Sequence, residues 1–124
     1  MAYEIPVLVV AFEAAADLSA KQFRVMKMAT GGKVDVFSGA TDVPVGILQN
    51  KPTAGQTAEV MVYGVSKVDS DAALAVGDIL AGQTDGQAEV ADSGDFPIGV
   101  CVLASGAAGE LASVLLNVSP VAKA

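Results

Sequence analysis

Asp42-Val43-Pro44-Val45-Gly46-Ile47 returns later in the chain as Asp95-Phe96-Pro97-Ile98-Gly99-Val100, at an offset of 53 residues. Both copies read Asp, apolar, Pro, apolar, Gly, aliphatic. Proline has no N–H to give to a sheet and settles at the first residue or the edge of a strand, while a glycine two residues later permits a bulge or a close backbone crossing. Pro44, Gly46, Pro97 and Gly99 are therefore read as structural turn positions that start and bend a strand, with no ligand required.

The repetition widens on both sides of this motif. Upstream, Gly32-Lys33-Val34-Asp35-Val36 lies over Gly86-Gln87-Ala88-Glu89-Val90, and downstream Ala54-Gly55-Gln56-Thr57-Ala58-Glu59-Val60 lies over Ala108-Gly109-Glu110-Leu111-Ala112-Ser113-Val114, both at an offset of 54. Two units of about forty residues result, 23–64 and 77–118. Each holds an apolar stretch, a Gly-containing turn, a short alternating strand, the Pro-Gly motif, a second turn and a final strand. Period-two alternation, as at Val34-Asp35-Val36 and Ala58-Glu59-Val60, marks half-buried strands.

These patterns predict an all-β fold of two duplicated β units, preceded by an extended N-terminal arm. The arm is set at residues 1–16 and the single β domain at 17–124. Within the domain, segment 65–76 reads as a linker with a turn at Asp69-Ser70-Asp71 and at most one short helical turn. Phe12 to Gln22 is the other helix candidate, and a turn into the first unit suits it equally.

Composition narrows the function. Seven basic residues stand against fourteen acidic ones, a net charge of −7, so a phosphate backbone is repelled on balance and nucleic acid is not an expected partner. No apolar run nears the roughly 20 residues that a membrane-spanning helix needs, so no membrane association is expected and the protein is read as soluble. The residues before the apolar stretch Val7-Leu8-Val9-Val10-Ala11 include Glu4 but no Lys or Arg, unlike a secretory signal.

The chemistry-bearing residues are few. The chain has no histidine, which removes the commonest general base, nucleophile activator and zinc ligand together. Cys101 is the single cysteine; set in the apolar run Ile98 to Leu103, it reads as a buried, unreactive thiol. Gly31-Gly32-Lys33 lacks the earlier glycine and the Ser or Thr of a phosphate loop and is read as a hairpin turn. Carboxylates gather in the second unit at Asp78, Asp85, Glu89, Asp92, Asp95 and Glu110, with Asp69 and Asp71 nearby, but no calcium-loop spacing joins them. Solvated turns are the simpler account, and no catalytic residue, cofactor or metal site is expected.

The charge is unevenly divided. The first unit carries Arg24, Lys27, Lys33 and Lys51 against Asp35, Asp42 and Glu59, a net of +1, whereas the second has no basic residue and six acidic ones. Drift on exposed surfaces would produce this; so would complementarity between neighbouring subunits or with a host surface.

Gly77-Asp78-Ile79-Leu80, Asp85-Gly86, Ala91, Asp95-Phe96-Pro97-Ile98-Gly99-Val100 and Ala107-Ala108-Gly109-Glu110, taken in order, resemble the short Ala/Gly/Val-rich capsid decoration, or cement, proteins of tailed bacteriophages. The resemblance covers the second unit and, through the duplication, most of the chain. It implies a small barrel or β-clip-like domain in a non-enzymatic protein made in the host cytoplasm and seated on the outer surface of the virion's capsid. Its partners would be the major capsid protein and itself, as a homotrimer. An N-terminal arm that pairs with a coat strand is also implied; here the arm residues are Tyr3, Ile5, Val7, Leu8, Val9 and Val10, which by their own sequence could equally complete this protein's own barrel. Other readings are a tail or baseplate module of the same virion, and a hydrolase or sugar-binding β domain using the second unit's carboxylates.

Overall fold

Turn chemistry cuts the chain into strands at matching places in both units. The computed structural model describes residues 2–39, 42–119 and 121–124. Its strands are β1 (Ile5–Glu13), β2 (Val25–Met28), β3 (Val34–Val36), β4 (Pro44–Leu48), β5 (Thr57–Asp69), β6 (Ile79–Gly82), β7 (Ala88–Val90), β8 (Pro97–Leu103) and β9 (Leu111–Asn117). The fold is all-β. Its only helical pieces among the described residues are two short 3-10 turns, Thr30–Gly32 and Thr84–Gly86, each in the same place between two strands of a unit.

Pairing repeats with the sequence. In the first unit β2 pairs with β3 and with β4, and β4 with β5; in the second β6 pairs with β7 and with β8, and β8 with β9. All of these pairs are antiparallel. β4 begins at Pro44 and β8 at Pro97, and across from each the register slips by one residue, between Met26 and Lys27 and between Leu80 and Ala81. Val45 and Ile98 are the extra residues of these bulges, which bend the sheet as bulges do.

β5 joins the units. Val60 and Met61 pair with β1 and with β4, while Tyr63 to Val65 pair with β1 and with β9. A residue with two partners has them on opposite sides, so β1 runs along one edge of β5, and β4 and β9 take successive stretches of the other. An isolated bridge from Ala14 to Val34 curls the first unit back on the end of β1, and one from Ser70 to Ala88 curls the second back on the end of β5. Each unit is thus a small curled barrel, and β5 is the last strand of one and the first of the next.

Residues 65–69, expected in a linker, are therefore strand. Their alternation of Val65, Lys67 and Asp69 with the buried Ser66 and Val68 is short and partly polar, and only pairing with β9 reveals it. No helix forms over 12–22, because the N–H groups of Ala14 and Ala15 donate to the carbonyls of Gln56 and Val34, at 2.9 and 2.8 Å, rather than along their own segment.

The backbone bonds also carry the duplication back into β1. Ala14 N–H to Gln56 and Leu18 N–H to Pro52 are matched by Ser70 N–H to Glu110 and Leu74 N–H to Ser105. Leu18 and Leu74 are both buried. The offset here is 56 residues rather than 54, so the first unit starts with β1 and not at Phe23.

Two apolar clusters fill the units. One lies inside the first, with Leu18, Met26, Val34, Leu48 and Val60 at its centre. The other fills the second unit with Leu74, Leu80, Ile98, Val114 and Leu116, and takes in Val25, Phe37, Ile47 and Met61 from the outside of the first. The two units are welded by this shared cluster and by Arg24, whose guanidinium meets Asp85 at 2.6 Å and Asp69 at 3.3 Å.

Candidate functional site

β1 is the most open apolar element. Its sequence alternates poorly because neither face goes fully inside: Ile5, Val7, Leu8 and Val9 range from 41% to 65% exposed. Val10 is half-buried. Tyr3, just before the strand, is exposed as well, although its backbone is fixed, since its N–H donates to Ser113 Oγ at 2.8 Å and its carbonyl accepts from the same hydroxyl at 3.0 Å. Lys67 Nζ stands 3.9 Å from Glu4 and above the ring of Phe23. Of the two roles the sequence left open for this segment, pairing within the chain is the one the fold displays, along β5 from Thr57 to Val65. The opposite edge of β1 has no strand partner among the described residues. From Ile5 to Phe12 this edge is apolar and uncharged, and an unpaired apolar edge is a template for another strand.

The glycines of the repeated motif face backbone. A Cβ built on Gly46 would strike the Met61 carbonyl oxygen, and one on Gly99 the Leu115 carbonyl oxygen. β4 and β8 therefore approach β5 and β9 more closely at these points than any side chain allows. Pro44 is buried and Pro97 half-buried, each at the head of its strand. Neither pair opens onto a cavity, and no pocket opens among the described residues.

Carboxylates divide into two environments. At the joint, Lys21 at 2.7 Å and Arg24 at 2.6 Å hold Asp85 below the ordinary carboxylate range, mainly through their hydrogen bonds to it. In the second unit, Glu89, Asp92 and Asp95 bring oxygens within 4.8 Å of one another. Burial, followed by repulsion from Asp95, Asp92 and Asp71, pushes Glu89 above the ordinary range. Oxygens so placed suit a hard cation, but Asp95 also accepts the N–H of Asp92 at 2.9 Å, as an ordinary turn carboxylate does. Cys101 is fully buried. Burial pushes its thiol up, away from the reactive thiolate, and it donates to the Leu103 carbonyl at 3.3 Å.

What the sequence did not single out is a second apolar row. Ile79, Val100 and Leu115 are cross-strand neighbours on β6, β8 and β9, and all are exposed. Each sits in an ordinary strand alternation, so nothing local distinguishes it from a core residue. Comparison with the duplicated positions Val25, Ile47 and Met61 would have grouped the three.

Among the described residues no helix is long and apolar enough to cross a membrane. Among curated proteins nothing matches this sequence. Among solved structures, the N base of the head fiber gp8.5 of bacteriophage phi29 is similar, at 21% identity and a TM-score of 0.70, over 92% of this chain and 98% of that one. At that identity the likeness concerns the fold, two curled units in one chain. The sequence model of phage cement proteins matches residues 4–117, which include both units and all of β1. The chain belongs to the phage cement protein family, as a decoration protein on the capsid of the virion.

Proposed function

We propose that the protein clamps the assembled head without catalysis, as a homotrimer whose β1 strands lie against the major capsid protein. The observation that carries this reading is β1 itself: an apolar strand, exposed on its side chains from Ile5 to Val9 and, among the described residues, unpaired along one edge. Strand addition at such an edge gives affinity through main-chain hydrogen bonds, and the alternate side chains then select the partner. A ligand that binds the expanded shell and not its dissociated subunits stabilises the shell by mass action. No reacting group has to be placed, and the nucleophile-type residue at hand, Cys101, is buried.

Co-sedimentation with expanded heads tests this. V7D and L8D, at exposed positions, should leave the fold intact and abolish binding, and heads carrying the parent protein should survive heating that bursts bare ones. Retained binding by the double variant would move the coat contact away from β1. Turnover that survives purification to homogeneity and disappears with a carboxylate substitution would overturn the non-catalytic reading.

A further inference from the structure

The two units are copies of one module, yet the joint between them is lopsided. On the first unit, the outward row Val25, Ile47 and Met61 is wholly buried because the second unit covers it. Phe37 lies beside this row with its ring against Gly82, where an added Cβ would stand 2.8 Å from a ring carbon. Gly86 is equally tight against Val36, the Val25 carbonyl and Arg24. The ion pairs from Lys21 and Arg24 to Asp85 close the rim.

Both halves of this joint occur a second time, and both are open. The duplicates of Val25, Ile47 and Met61 are Ile79, Val100 and Leu115, a continuous row across three strands, exposed by 45%, 41% and 43%. On the other side, Gly82 is duplicated by Met28, which is 45% exposed, and Gly86 by the exposed Gly32. Ile98 and Leu116, fully buried in the covered cluster, are duplicated by Val45 and Val62, which are only half-buried. One chain therefore contains one closed joint and two unfilled halves, one on each unit.

We propose that these halves meet between two copies of the chain: the Ile79-Val100-Leu115 row of one subunit docks on the Met28, Gly32, Val45 and Val62 face of the next, repeating the internal joint head to tail. The residues that differ between duplicates differ in compensating ways. Bulk changes sides: Phe37 against Gly82 becomes Ala91 against Met28. Charge changes sides too: Arg24 is replaced by Asp78, and Gln87, which donates to the same Asp69 carboxylate that Arg24 pairs with, is replaced by Lys33, which pairs with Glu13 at 3.0 Å within its own unit. The subunits would thus bring the unit of net +1 against the unit with six acids and no base. The contact is heterologous, so it closes as a ring or continues as a filament; it rests on the homotrimer reading only in choosing the ring.

The test uses the full chain. The parent protein at tens of micromolar should scatter light as an assembly. V100K, which spoils one half, and M28K, which spoils the other, should each run as folded monomers with unchanged melting when dilute. Mixed one to one, they should form a heterodimer, since each keeps the half that the other lacks; a contact of either patch with its own copy cannot give this result. D78K should weaken assembly at least tenfold and K33D should restore it in the double variant. A monomeric parent, a variant that keeps the parent's mass, or a mixture that stays monomeric overturns the proposal. If the parent is monomeric and V100K instead loses head binding, the row belongs to the coat contact. Assembly as described, together with head binding retained by the V7D/L8D double variant, would reject the β1 coat contact alone.

Discussion

Val25, Ile47 and Met61 in the first unit and Ile79, Val100 and Leu115 in the second sit on matching strands and pair in the same cross-strand order, yet one row is sealed and the other faces solvent. Duplication supplied two equal apolar rows, and the chain had only one further unit with which to cover one of them. The difference shows that burial here belongs to a neighbour and not to the residue. An outward-facing aliphatic side chain on a small barrel is core when a second barrel lies on it and surface when none does. The electrostatics divide along the same line, with Asp85 stabilised as an anion at the covered joint and Glu89 pushed up by burial, and then by neighbouring carboxylates, away from it.

The largest effect should come where the units agree. G46V and G99V each drive a side chain into a neighbouring carbonyl, and each should cost about 3 kcal/mol or more in urea unfolding. Equal and negligible losses would mean that the close strand approaches are not required by either unit.

Truncation of the two rows sets the units apart directly. I47A should cost about 2–5 kcal/mol, as buried large-to-small changes do. V100A, at the duplicated position, should stay within about 0.5 kcal/mol in dilute protein, as surface changes do. A large loss from V100A under dilute conditions would show that the second row is covered within the chain after all.

The acids give smaller effects, of opposite sign with pH. Asp85 is held below its unfolded value, so its contribution is present above the ordinary carboxylate range and is lost as pH falls through its lowered folded value. D85N should remove that acid-side loss, at a cost of less than about 1 kcal/mol near neutrality because the pairs are half-exposed. Glu89 is held above its unfolded value, so it lends stability only in the protonated form, and that stability disappears as pH rises through the raised value. E89Q should therefore raise stability at neutral pH by about 0.5 kcal/mol or less and flatten the curve just above the carboxylate range. Unfolding midpoints between pH 3 and 8 would separate the two, and the same slope for both variants would erase the contrast between joint and cluster.

By itself the sequence determined the strand-rich class, the duplication and the points at which strands begin, because these depend on local signals. Pro44 and Pro97 open β4 and β8, and the Gly-containing turns separate β2 from β3 and β6 from β7. It also carried the family likeness, in the ordered turns of the second unit. Tertiary structure alone decided that β5 runs on to Asp69 as a strand of both units, that β1 lies along it as the true start of the first unit, and that one apolar row is covered while its duplicate is not. Each of these depends on pairing between segments far apart in sequence. Alternation at period two says which residues share a face, but the same pattern is written whether that face meets another sheet, another subunit or water.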